Sequence, residues 1–240
     1  MDNIRAIIWD YDCTLVNTWQ KNLAVTRRII TKVSGQDASQ IYALSSVDRY
    51  QYASLKSINW RAFYMQECRL SAEQTDQAGW LWTEFQLSDD TPIEVFEGIP
   101  DVLATLSDYP HGIVSQNSKQ SITATLRAQH LLPYFPCIVG YEEVAFDKQK
   151  PAPDSLLLCM EHLCKAQSQA TGVVCYIGDH EVDAACAFAA NQALQQQGSG
   201  LHVVSIAAFY GCQGDDSSWL IKPDHTVTTP REIPDIILGF

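Results

Sequence analysis

Positive charge is scarce in this sequence. Sixteen Lys and Arg face 28 Asp and Glu, a formal net charge of −12. That balance excludes a nucleic acid polymer or an anionic membrane as the main partner, because both are held through basic patches. A small anionic substrate stays compatible if its pocket supplies a cation of its own. Long apolar runs are missing too: none approaches the roughly 18 residues of a membrane span, and Met1–Arg5 lacks the apolar core of a signal peptide. Cysteine is plentiful, but its pairing signals are not. The eight cysteines (13, 68, 137, 159, 164, 175, 186 and 212) include no C-x-x-C pair, so they predict reduced, mostly buried thiols in a cytoplasmic protein rather than a disulfide framework. Cys159, His162 and Cys164 resemble a ligand set, yet on a helix Cys164 points roughly 140° away from Cys159 and the three do not converge.

What is present is a core. Hydrophobic residues make up 46% of 240 residues and charged ones 18%, enough for one large domain or a domain carrying an insertion. Five short apolar runs recur: Ala6–Trp9, His111–Val114, Cys137–Gly140, Val173–Ile177 and His202–Ile206. Their continuous apolar character predicts strands buried on both faces. Amphipathic helices are expected between the later runs, over 119–130 and over 155–167, where Leu156, Met160, Leu163 and Cys164 share a face. This rhythm predicts an α/β fold, a doubly wound parallel sheet. The Gln- and Gly-rich stretch Gln192–Gly200 reads as a solvated excursion before the fifth strand.

Residues 17–92 break the rhythm with helical patterns. Trp19, Leu23, Thr26, Ile30 and Val33 keep helical spacing up to Gly35. A further helix is expected after Ser71, an N-cap with Gln74 as its capping-box partner. Trp19, Trp60, Trp80 and Trp82 lie in this stretch and are expected to fill a small helical core. The division is therefore 1–16 with 93–240 as an α/β core, and 17–92 as an inserted helical domain.

Four of the strand ends carry chemistry. The first runs into Asp10-Tyr11-Asp12-Cys13-Thr14, two carboxylates that are costly to place there without a compensating cation or hydrogen bonds. The second ends in Ser115-Gln116-Asn117. Lys150-Pro151-Ala152-Pro153 follows the third, and Gly178-Asp179-His180-Glu181-Val182-Asp183 the fourth. Each piece alone is a common cap or loop; four in order, each after its own strand and at the end where such sheets bind ligands, form a pattern.

The pattern resembles the haloacid dehalogenase (HAD) superfamily, in its phosphoglycolate-phosphatase-like branch with a helical cap. The resemblance implies a Rossmann-like core and a Mg²⁺-dependent phosphatase acting on a small phosphorylated metabolite. In that reading Asp10 attacks phosphorus and forms an aspartyl phosphate. Asp12 begins protonated, serves the leaving oxygen and then activates water. Asp10, the Asp12 main-chain carbonyl and Asp179 hold the metal, with Asp183 as ligand or outer partner. Ser115 and Lys150 bind the transferred phosphoryl oxygens, and Gln116, where the family usually has asparagine, keeps an amide for the same role. Cys13 stands where the family usually has glycine, which bears on loop geometry, and His180 reads as a rim residue. Rival readings are a phosphosugar mutase, which shares all four motifs but commonly has valine at the position of Thr14; a phosphonate hydrolase, needing a cap lysine among Lys21, Lys32 and Lys56; and a binding module without turnover, which loss of Asp10 or Asp179 would have signalled.

Overall fold

The computed structural model describes residues 4–164, 171–212 and 214–240. The expectations for Met1–Asn3 and for a helix over 165–167 lie outside the described residues. In chain order the strands are β1 (Ile4–Trp9), β2 (Val16–Asn17), β3 (Glu94–Val95), β4 (His111–Val114), β5 (Cys137–Val139), β6 (Thr171–Gly178), β7 (Gly200–Ala208) and β8 (His225–Val227). The α-helices are α1 (Trp19–Ser34), α2 (Val47–Lys56), α3 (Trp60–Gln66), α4 (Ala72–Ser88), α5 (Ile99–Thr105), α6 (Lys119–Ala128), α7 (Asp154–Cys164), α8 (Glu181–Gln196) and α9 (Ile233–Ile237).

Six strands form one parallel sheet in the order β5-β4-β1-β6-β7-β8. Four consecutive residues of β1, Ala6 to Trp9, are fully buried. Successive side chains point to opposite faces, so both faces of the central strand are covered. Ala6, Ile8, Val114, Val139, Val174 and Tyr176 pack against Leu156, Cys159 and Met160 of α7 and Cys186, Ala187, Ala190 and Leu194 of α8. Gly112 lets α7 come close, since a Cβ there would lie 2.5 Å from the Cys159 sulfur. All eight cysteines are free thiols, six of them buried. Strand β8 was not anticipated: it is three residues long and lacks an apolar run.

The Gln-rich excursion is corrected. Helix α8 continues through Gln196 and ends at Gly198, whose φ is +66°. Ala, Leu and Gln are good helix formers, and Leu194 is buried on the core face, so the glutamines occupy the outer face of a helix.

Residues Thr18–Glu94 form a compact unit of their own, and Met1–Asn17 with Val95–Phe240 form the other. The first unit is all helical, and β2 and β3, where the chain leaves and returns, pair as a two-stranded ribbon. Helix α1 stops at Gly35 (φ +69°), which takes up the left-handed conformation of a C-cap. The Ser71–Gln74 capping box opens α4 as expected. The unit's core gathers Leu23, Ile29, Ile30, Leu44, Tyr50 and Phe63, with Trp19, Trp60 and Trp82 partly buried against it. Trp80 departs from expectation and is 80% exposed. Residues two apart on a helix point to different sides, so Trp80 and Trp82 cannot both face one core. No described helix is long and apolar enough to cross a membrane.

Candidate active site

The sheet carries its polar residues at the carboxyl ends of its central strands. Asp10 follows β1, Ser115 follows β4, Lys150 lies beyond β5, and Asp179 follows β6. The order reverses around β1, the point at which an open parallel sheet leaves a crevice for ligands.

Lys150 is the hub. Its Nζ donates to Asp10 Oδ1 at 2.6 Å and to Asp183 Oδ1 at 2.7 Å, and all three side chains are more than nine-tenths buried. The Tyr176 hydroxyl donates to the same Asp183 oxygen at 2.8 Å, while the His180 N–H donates to Asp183 Oδ2 at 3.2 Å. Asp183 is thus fixed from three sides, and it fixes Lys150 against Asp10. Gly178 makes room for it, since a Cβ there would lie 2.3 Å from the Asp183 carboxyl carbon.

The carboxylates of Asp10, Asp179 and Asp183 offer ligand oxygens within 4.8 Å of one another, the only such set of three among the described residues. Burial pushes the Asp10 carboxyl up, Lys150 pulls it back, and Asp183 and Asp12 add to the rise, leaving it at about 7. Asp179 is raised well above the carboxylate range by burial, then by repulsion from Asp10 and Asp183. Burial opposes the charge on Lys150, but Asp10 and Asp183 outweigh it and hold the ammonium above its ordinary value. Three buried carboxylates against one ammonium leave an excess of negative charge, and oxygen-only donors with that excess suit a hard divalent cation.

The Asp12 side chain stands apart from this set. The Asn117 amide donates to its Oδ2 at 3.3 Å, with a longer approach of 3.5 Å to Oδ1. The buried Ser115 hydroxyl accepts the Asn117 N–H at 3.0 Å. Gln116 turns the other way, its amide donating to the Lys150 carbonyl at 3.1 Å and tying the second motif to the third. Cys13 adopts φ +61°, the left-handed conformation that glycine takes at no cost. The His180 ring accepts the Val182 N–H at 3.2 Å and so caps α8. Cys159, His162 and Cys164 form no ligand set among the described residues.

Two residues escaped the sequence reading. Asn117 carries no signal of its own, because the resemblance assigns the amide role to Gln116. Tyr176 looked like an apolar strand residue, and its one signal was a hydroxyl in a buried run two positions before Gly178.

Residues 7–194 match the family model described as haloacid dehalogenase-like hydrolase. A phosphoglycolate phosphatase of Synechococcus elongatus is 26% identical over 234 residues, covering 96% of this chain and 95% of its own. Among solved structures, a predicted phosphatase of Clostridium acetobutylicum superposes with a TM-score of 0.71 at 21% identity, over 98% of this chain and 99% of that one. A subfamily IA HAD-superfamily hydrolase of Geobacter sulfurreducens does so with 0.62 at 22% identity, over 98% and 97%. At those identities the structures establish the fold, and the family match covers most of the chain. The chain belongs to the haloacid dehalogenase-like hydrolases, and its helical insertion is the cap of that fold.

Proposed function

We propose that this enzyme is a Mg²⁺-dependent phosphatase that hydrolyses a small phosphomonoester through an aspartyl-phosphate intermediate. The observation that carries the reading is the buried Asp10–Lys150–Asp183 chain beside Asp179. It holds a carboxylate at the crevice, next to a cation and next to an excess of negative charge that a divalent ion would balance.

Asp10, Asp179 and the Asp12 main-chain carbonyl would hold Mg²⁺, with Asp183 at its edge. Bound there, the ion would neutralise phosphate charge and leave Asp10 ionised for attack. Asp10 attacks phosphorus in line with the leaving oxygen, and Asp12 delivers a proton to that oxygen as the bond breaks. Asp12 then takes a proton from the water that attacks the aspartyl phosphate, which returns Asp10 and releases phosphate. Asn117 keeps the Asp12 carboxyl oriented for both transfers. Two of the three N–H donors of Lys150 are taken by carboxylates, and the third is left for a phosphoryl oxygen. Ser115 lines the same subsite, and Gln116 supports it through its bond to the Lys150 carbonyl. Substrate choice is assigned to the cap. Phosphoglycolate, the substrate named for the Synechococcus relative, leads the panel to be tried, ahead of sugar phosphates and nucleoside monophosphates.

The test is hydrolysis of p-nitrophenyl phosphate by the purified protein with Mg²⁺. Turnover is expected, with EDTA abolishing it and Asp10→Asn lowering kcat by at least about 10³-fold. A pure, metal-loaded protein without turnover would identify a binding module instead.

A further inference from the structure

We infer that Tyr210 and Gly211, just past β7 and outside all four strand-end motifs, are positioning residues for the loop that carries Asp12. The inference rests on the phosphatase reading for its kinetic consequence but not for its structural one.

The loop after β1 is closed by main-chain bonds of its own, Cys13 N–H donating to the Val16 carbonyl at 2.8 Å and Leu15 N–H to the Tyr11 carbonyl at 3.1 Å, but it is also held from outside. Cys13 sits at φ +61°, a left-handed conformation that is unfavourable for a residue with a Cβ, so neighbours must help to hold it. Those neighbours come from far along the chain. The Tyr210 hydroxyl donates to the Thr14 carbonyl at 2.8 Å across 196 positions. Gly211 lies against the carbonyl next to it: a Cβ there would fall 2.0 Å from the Cys13 oxygen. The Tyr210 ring stands edge-on to Phe96 at 5.4 Å, and the Phe96 N–H donates to the Leu15 carbonyl at 3.2 Å. Three successive carbonyls, those of Cys13, Thr14 and Leu15, are therefore contacted by residues from beyond the insertion.

The same segment is tied down farther along. Glu181, two residues past Asp179, accepts the main-chain N–H groups of Leu220 and, at 3.1 Å, Ile221. Phe209 N–H reaches the Val227 carbonyl at 2.8 Å. Tyr210 is thus braced by the sheet, and through Thr14 it braces the turn that begins at Asp12. An acid/base group works only when its proton lies in line with the reacting oxygen, and small misplacements cost rate rather than binding.

Tyr210→Phe keeps the ring on Phe96 and removes one hydrogen bond. We expect kcat on p-nitrophenyl phosphate to fall about tenfold, with KM within about twofold and thermal stability nearly unchanged. Amide exchange at Leu15 and Val16, both bonded to the Tyr11 carbonyl, should quicken about tenfold while that of Ile7 and Ile8 stays fixed. Gly211→Ala should move kcat the same way and further. A Tyr210→Phe enzyme with wild-type kcat, or with loop exchange unchanged, overturns the inference. So does a loss that appears only as raised KM or global instability. If the wild type turns over nothing, the phosphatase reading fails, and the exchange measurement alone decides whether Tyr210 holds the loop.

Discussion

The two units treat buried polarity in opposite ways. In the sheet unit Asp10, Ser115, Asn117, Lys150, Asp179 and Asp183 are all buried, and they converge at adjoining strand ends. In the cap, Thr18, Thr26, Thr75 and Gln86 are the buried polar side chains among the described residues, and none is charged. Three of them are satisfied by neutral partners within the cap: Thr26 by the Tyr50 hydroxyl at 3.1 Å, Thr75 by the Ser71 carbonyl at 2.8 Å, and Gln86 by Asn22 at 2.7 Å. Burying charge is costly and makes it reactive; burying neutral groups in pairs only shapes a core. One unit accepts a loss of stability to gain chemistry, and the other is built to pack.

Three substitutions test that contrast. Lys150→Met should have the largest effect, since it leaves Asp10 and Asp183 buried without their shared cation. We expect kcat to fall about 10³-fold and urea unfolding at neutral pH to show a loss of about 3 kcal/mol. A variant of wild-type stability would mean that the carboxylates need no internal counter-charge.

An intermediate effect is expected from His111, a buried titratable side chain of the sheet unit outside that cluster. Its Nδ1 accepts the Trp9 indole N–H at 3.0 Å, so the ring proton is on Nε2, which donates to the Leu106 carbonyl at 3.0 Å. Burial is the larger influence and holds the imidazole below its ordinary 6.5, against the pull of the Leu106 carbonyl. A depressed histidine stays neutral in the fold while the unfolded chain takes up a proton. The stability it contributes is complete above pH 6.5 and is lost as pH falls from there toward the folded value. The slope is at most about 1.4 kcal/mol per pH unit. His111→Phe should flatten the dependence of unfolding free energy on pH between 6.5 and 5; an unchanged slope would assign that dependence to other groups.

The smallest effect should come from the cap surface. Trp80→Ala removes a side chain that is mostly in solvent and should change stability by no more than about 0.5 kcal/mol. If kcat/KM for the preferred phosphomonoester nevertheless falls, the exposed ring serves the substrate, and the cap is more than a packing unit.

What could be read from the sequence divides along the same line. The Asp10–Asp12, Ser115, Lys150 and Asp179–Asp183 groups stood out because charged or hydroxyl side chains directly follow buried strands, a placement that is expensive without a purpose. Helix α1 and the Ser71 cap were legible because spacing and capping are local. Asn117, Tyr176 and Tyr210 were not, because each acts through a partner on another element, and nothing in the local pattern distinguishes a tyrosine that packs from one that holds a carbonyl. Trp80 departs for a simpler reason: its residue type favours a core, but helix geometry separates it from Trp82. The glutamines of α8 suggest solvation by their polarity and a helix by their propensity, and the exposed face of α8 satisfies both.

The sheet order also sets a timetable. Strand β1, with Asp10 at its end, is synthesised first yet lies at the centre, between β4 beginning at His111 and β6 beginning at Thr171. On the ribosome it must wait through the whole insertion for one neighbour and through most of the chain for the other. The cap, whose helices contact near neighbours in sequence, can complete itself in that interval. Strand β1 is thus a long-exposed apolar edge of the nascent chain, and an inserted helical domain that folds early keeps that delay from being spent on a wholly unfolded chain.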